Sequence, residues 1–219
     1  MRNAPGLRMS HLVLLGDSIF DNAAYTKGGP DVLTQVLGLL PKHWKASLLA
    51  IDGSTTNDVP TQLGRLPKDA THIVLSVGGN DALMQLEVLD KPVSLVSEAL
   101  GALAEIVADF EVHYREAVAT CMATRTSLAV CTIYNCCFDD LSFQRVASTT
   151  LMLFNDTIIR VAAEYGVPVI DLRSVCIEQA DYANPIEPSS VGGEKIARVI
   201  VGLVSGEYSA STATRIIIP

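Results

Sequence analysis

Positive charge is scarce in this 219-residue chain: 16 Lys and Arg stand against 24 Asp and Glu, a formal net charge of −8 with the four His counted neutral. No run of Lys or Arg exceeds two residues, so nothing is arranged to neutralise a phosphate backbone, and nucleic acid is not an expected partner. Cysteines are few as well. Cys121, Cys131, Cys136, Cys137 and Cys176 are odd in number and lack the paired CxxC spacing of a zinc site, so they read as reduced thiols and no metal is expected. Long apolar runs are absent too. None reaches the roughly 18 residues that span a bilayer, and the apolar stretch near the N-terminus, about five residues, is shorter than a signal-peptide core of roughly 7. The expected location is cytoplasmic, with no membrane span. Neither G-x-G-x-x-G nor G-x-x-x-x-G-K-[ST] occurs, which makes a flavodoxin-like nucleotide binder a weak reading, and no cofactor is implied.

Aliphatic side chains are abundant. Hydrophobic residues make up 49% of the chain and charged residues 18%, far from a disordered composition and enough for a sizeable core. No internal repeat, linker or composition shift divides the sequence, so one domain is expected over residues 1–205. A small, polar tail follows over residues 206–219, and its final Ile216-Ile217-Ile218-Pro219 is expected to tuck against the domain, with docking as an edge strand or contact with a partner chain the competing readings.

Short apolar runs alternate with longer segments of helical period, the pattern of an α/β domain with a parallel sheet. Strands are expected at His11–Leu15, Ser47–Ile51, His72–Val77, Ser127–Ile133 and Val167–Asp171, each nearly all apolar as strands covered on both faces should be. Leu95, Ala99, Leu103, Val107, Phe110 and Tyr114 recur at three- and four-residue spacing, predicting one long helix over residues 92–123. Further helices are expected over 31–40, 143–165 and 191–204. Right-handed crossovers then give a three-layer sandwich of the doubly wound type.

Ligands of such sheets bind at the carboxyl ends of strands, and three of those ends are polar. After the first strand comes Gly16-Asp17-Ser18, a serine delivered through a glycine turn to the sheet's rim; helix capping is the competing explanation for Ser and Asp there. After the second comes Asp52-Gly53-Ser54, where glycine lets the backbone approach a ligand, or where an ordinary turn precedes a helix starting near Asp58. After the third comes Gly78-Gly79-Asn80-Asp81, in which the Asn80 carboxamide offers a neutral donor for an oxyanion or closes an Asx turn on its own backbone.

Taken together, these blocks resemble those of the SGNH, or GDSL-type, hydrolases in order and spacing: Gly16-Asp17-Ser18 the first, Gly53 the second, Gly78-x-Asn80-Asp81 the third. The resemblance runs from about residue 11 to 204. It implies a flavodoxin-like α/β/α sandwich whose five parallel strands lie in the order 2-1-3-4-5. It also implies that Ser18 attacks the acyl carbonyl of a small ester or acetylated compound, while the Ser18 and Gly53 N–H groups and the Asn80 side chain hold the oxyanion. Asp17, Gly79 and Asp81 complete the motifs around the substrate, the two aspartates as supports of loop geometry.

The family's fourth element is a DxxHP stretch before the last helix, whose His accepts the serine proton while the Asp orients it. The matching stretch here is Asn184-Pro185-Ile186-Glu187-Pro188, which puts Glu187 in the place of His and Asn184 in that of Asp, with Asn184 expected to contact the substrate. His11 and His72 fall at strand starts, His43 before a strand and His113 inside the long helix, so none is expected to substitute. A buried carboxylate can accept a proton if its pKa is raised, which makes Glu187 the candidate base, with Asp181 a second carboxylate near enough in sequence to approach the site. Cys136 and Cys137 are expected to line the pocket. The double replacement also motivates a second reading, a catalytically weak or inactive protein that binds an acylated or anionic ligand without turnover.

Overall fold

A computed structural model describes residues 9–208 and 216 of the chain. The strands are β1 (Ser10–Gly16), β2 (Trp44–Leu48), β3 (His72–Ser76), β4 (Ser127–Cys131) and β5 (Val169–Ile170), with a short pair β6 (Tyr182–Asn184) and β7 (Glu187–Pro188) late in the chain. The helices are α1 (Val32–Leu39), α2 (Val59–Leu63), α3 (Gly79–Leu83), α4 (Val96–Ala123), α5 (Leu141–Glu164) and α6 (Ser190–Val204), joined in places by single 3₁₀ turns. The first five strands form one parallel sheet in the order β2-β1-β3-β4-β5. Helices cover both faces, giving the three-layer sandwich that the alternating pattern predicts.

The reason lies in β1. Its Leu12, Val13, Leu14 and Leu15 are wholly buried, because successive side chains of a central strand point into opposite layers. Leu12 and Leu14 join a core with Val32 and Val36 of α1 and Ile196 and Ile200 of α6. Val13 and Leu15 join the opposite core with Val59, with Phe110 and Tyr114 of α4 and with Phe154 and Ile158 of α5.

Boundaries differ from expectation where long-range contacts decide them. β2 runs over Trp44–Leu48 rather than Ser47–Ile51: Trp44 pairs with Ser10 and its ring packs 4.7 Å from that of His72, while the Leu49 and Ala50 N–H groups both turn to the Leu14 carbonyl and end the ladder. β5 shrinks to Val169–Ile170, since Pro168 has no N–H to give. α4 starts at Val96, where Glu98 accepts from the N–H groups of Ser94 and Leu95 at 2.9 and 3.3 Å. The helix α2 begins beside Asp58, at the helix start that one reading of the second block predicts, whereas α3 and the β6–β7 hairpin were not expected. Of the final Ile216–Pro219 run only Ile216 lies within the described residues, exposed at 58%; the polar stretch 209–215 lies outside them. Among the described residues, no helix is long and apolar enough to cross a membrane.

Candidate active site

The site begins with a glycine that nothing else can replace. Gly16, the last residue of β1, has φ of 123°, and a Cβ built on it would stand 1.7 Å from the Ser76 carbonyl oxygen. This close approach lets the Asp17 N–H reach that carbonyl at 3.1 Å and turns the chain out of the sheet at its carboxyl end. A buried Gln62 locks the turn: its Oε1 accepts from the Gly16 N–H at 2.9 Å, and its Nε2 donates to the Gly16 carbonyl at 2.7 Å and to Ser54 Oγ at 3.1 Å. One side chain therefore ties the first block to the second.

The third block is tied to the second by two more. Asn80 Nδ2 donates to the Ser54 carbonyl at 2.9 Å, which uses one of its two N–H bonds. Asp81 accepts from Thr56 Oγ1 at 2.6 Å and from the Thr56 N–H at 3.1 Å, so it braces the loop and does not line the cleft. Gly53 is exposed, with φ of 80°, at the tip of that loop. Among the described residues, the backbone N–H groups of Ser18 and Gly53 have no hydrogen-bond acceptor.

Ser18, Asp17, Gly79, Asn80 and Glu187 line a single cleft, and Gly53 does not. Glu187 arrives on β7, its hairpin held by anchors on three sides. The Tyr134 hydroxyl donates to the Ile186 carbonyl at 2.7 Å, the Cys137 N–H to the Pro185 carbonyl at 2.8 Å, and Asn22 Nδ2 to the Pro188 carbonyl at 3.3 Å. Asn184, which stands where the family has its orienting Asp, does something different. It is exposed, and its Oδ1 accepts from the Ile186 and Glu187 N–H groups at 3.0 and 2.9 Å, closing the hairpin turn without touching the Glu187 carboxylate. Asp181 is also turned away from Ser18: it accepts from the Ile177 and Glu178 N–H groups and pairs with Lys195 at 2.8 Å.

Burial raises the Glu187 pKa to about 7; the Ser18 hydroxyl acts to lower it, and the negative charge of Asp52 raises it further. One carboxylate oxygen, Oε2, is buried with no partner. Asp17 is pushed up to about 8, chiefly by burial and then by the charges of Glu187 and Asp81, against the bond its Oδ1 accepts from the Ile19 N–H at 3.1 Å. Neither carboxyl has a cationic partner among the described residues. Near neutral pH Glu187 is thus poised between its two forms and Asp17 is mostly the neutral acid.

No histidine lines this cleft. His11 is buried at the other end of the sheet, between Asp69 (Nδ1, 2.9 Å) and Ser47 Oγ (Nε2, 2.7 Å). His72 contacts Thr71, and His113 lies on α4 beside Asp109. Cys136 lines the cleft, and burial pushes its thiol up to about 11, so it lines rather than attacks; Cys137 does not line it. Gln62, Asn22 and Tyr134 escaped the sequence reading because their roles are hydrogen bonds to distant backbone. Among the described residues, no group of three or more His, Cys, Asp or Glu is placed to hold a metal.

Residues 14–192 match the family model of the GDSL-like lipases and acylhydrolases. Among curated proteins none matches the chain in sequence. Solved structures do match in fold. An acetyl xylan esterase superposes with a TM-score of 0.68 at 16% identity, covering 89% of this chain and 99% of its own. The lipase/acylhydrolase from Enterococcus faecalis gives 0.61 at 20% identity, covering 91% and 97%. A catalytic mutant of an acetylxylan esterase from Geobacillus stearothermophilus gives 0.65 at 17% identity, covering 89% and 93%. The three-block rim at the carboxyl end of a 2-1-3-4-5 sheet and the family match over most of the length lead to one conclusion: the chain belongs to the GDSL-like lipase/acylhydrolase family.

Proposed function

We propose that the protein is a serine-dependent ester hydrolase in which Glu187 does the work of the missing histidine. The observation that carries this is the shared cleft: Ser18 and a buried, partly unpartnered carboxylate of pKa about 7 face each other beside Asn80. A general base is most effective when its pKa lies near the working pH. Glu187 accepts the Ser18 proton as Oγ attacks the acyl carbonyl carbon. The resulting oxyanion is received by the Ser18 N–H and the second N–H of Asn80, whereas Gly53, which the family pattern makes a third donor, stands outside the cleft. Collapse breaks the ester C–O bond, and the alkoxide leaves with the proton from Glu187. Water then attacks the acyl-serine, giving its proton to the same carboxylate, which passes it to Ser18 Oγ as the acyl–oxygen bond breaks and the carboxylic acid departs.

Of the alternative, a weak or inactive protein that binds an acylated or anionic ligand, the anionic half fits this rim poorly, because Asp21, Asp52 and Glu187 lie at or beside it with no cation among them; the acylated half is separated from turnover by fluorophosphonate labelling. Reaction with a fluorophosphonate, followed by intact mass, tests the reading. Labelling is expected in wild type, absent in Ser18→Ala and at least tenfold slower in Glu187→Gln. Ser47→Ala is the control, because Ser47, His11 and Asp69 repeat the hydrogen-bond order of a nucleophile triad. Labelling that survives in Ser18→Ala and is lost in Ser47→Ala rejects the assignment.

A further inference from the structure

In ester cleavage the leaving alkoxide takes its proton from the base, so the alcohol half of the substrate lies on the Glu187 side of Ser18, away from Asn80 and the oxyanion. That side is acidic. The loop carrying Asp21 and Tyr25 is fixed against β7 by Asn22, whose Nδ2 donates to the Pro188 carbonyl at 3.3 Å, next in sequence to Glu187. The loop after β2 is tied to it in turn: the Asp52 N–H donates to Asp21 Oδ2 at 3.0 Å, and the Tyr25 hydroxyl donates to Asp52 Oδ2 at 2.6 Å. The Tyr25 phenol is pushed up to about 12, first by its bond to Asp52, then by burial and by the charges of Glu187, Asp52 and Asp21, so the four groups share one field. Among the described residues, no Lys, Arg or His pairs with Asp21, Asp52 or Glu187, and Lys27 of the same loop makes no ion pair. The innermost carboxylate is also incomplete. Glu187 is 7% exposed and lines the cleft, yet its Oε2 has no hydrogen-bond donor. A buried carboxylate oxygen without a partner is costly, and like charge gathered beside it adds to the cost. A positive charge brought by the substrate relieves both.

We infer that the alcohol half of the substrate carries an ammonium group, which sits between Glu187 Oε2 and the carboxylates of Asp52 and Asp21. The inference rests on the ester-hydrolase reading. A short spacer between the ester oxygen and the nitrogen lets the oxygen meet Glu187 while the cation meets the rim. The same cation favours the ionised form of Glu187, the form that accepts the Ser18 proton. At long range the net charge of −8 draws such a substrate toward the protein.

The experiment compares acetylcholine with 3,3-dimethylbutyl acetate, its neutral isostere, by acetate release. The shared acetyl group cancels any preference on the acyl side. One exposed ion pair is worth up to about fivefold, so against several carboxylates the cationic ester is expected to lead in kcat/KM by about tenfold or more. That lead should hold at about 0.01 M salt and shrink at about 1 M, where charges are screened within about 3 Å. Asp52→Asn should cut it severalfold, whereas Glu105→Gln, which removes one charge from an exposed site on α4, should leave it. Equal turnover of the two esters, or a lead that Asp52→Asn lowers no more than Glu105→Gln does, overturns the cation site and leaves the ester-hydrolase reading intact. If neither ester is cleaved, p-nitrophenyl acetate tells whether the catalytic reading has failed as well, and calorimetry with choline and 3,3-dimethylbutanol decides the site. Choline binding that exceeds the neutral alcohol's and weakens in Asp52→Asn upholds it; equal or absent binding overturns it.

Discussion

Ser18 alone says little, since serines after strands are common; its meaning comes from the two carboxyls that share its cleft. Both Asp17 and Glu187 have folded pKa values above those of the unfolded chain, about 8 and about 7 against 3.8 and 4.5, and burial is the main cause of each. The sign follows: the folded state favours the protonated forms, so their contribution to stability is full below about pH 4 and is lost as pH rises through 7 and 8. At about 1.4 kcal/mol per pKa unit, the Asp17 share is several kcal/mol. Asp17→Asn keeps the acceptor for the Ile19 N–H and removes the charge, so its melting temperature should exceed that of wild type at pH 8 and match it near pH 4.5. Thermal unfolding across that range checks this; equal melting curves at pH 8 would show that Asp17 stays ionised at no cost. Catalysis runs the other way. Glu187 must be ionised to accept a proton, so fluorophosphonate labelling should rise with pH through about 7, and Glu187→Gln should flatten that limb along with slowing the reaction.

At the scale of elements, the rim is held by side chains that bridge blocks far apart in sequence. Gln62 on α2 is the clearest, with three hydrogen bonds at 2.7 to 3.1 Å made while 1% exposed. Gln62→Leu leaves the Gly16 N–H and carbonyl and the Ser54 hydroxyl unsatisfied, which should cost about 2–4 kcal/mol in denaturant unfolding and slow labelling of Ser18; a loss under 1 kcal/mol would mean that water replaces the amide. None of this was legible in the sequence, because a lone polar residue in a five-residue helix has no periodicity to betray it. The strands β1, β3 and β4 were legible, since burial on both faces leaves an uninterrupted apolar run. The edge strands were not placed as well: β2 answers to Trp44 packing on His72, and β5 to Pro168. The motif residues Ser18, Asn80 and Glu187 were legible and are brought together, whereas Asn184 was misread because its turn depends on a hairpin that only distant anchors create.

That hairpin makes catalysis a property of the whole molecule, because the nucleophile comes from the first strand and the base from the segment before the last helix. Position is set by α6 as much as by the rim. A Cβ on Gly192 would stand 2.2 Å from the Asp181 carbonyl oxygen, so α6 and the hairpin's base touch backbone to backbone. Lys195 on the same helix pairs with the buried Asp181 at 2.8 Å. Burial raises the Asp181 pKa, but Lys195 and the Glu178 and Ile177 N–H groups outweigh it, and the net shift is downward. Stability from this pair is therefore present above the ordinary carboxylate range and lost as pH falls through it. Lys195→Met should lower stability at pH 7, by less than the loss of a fully buried pair because Lys195 is partly exposed and Asp181 keeps its two N–H donors. The deficit should close toward pH 3. Hydrogen exchange should show amides of residues 177–189 opening first in the variant, and labelling of Ser18 should slow in proportion to that opening. Faster exchange spread evenly over the sheet instead would mean that the last helix supports the fold in general and leaves the placement of Glu187 to Tyr134, Cys137 and Asn22.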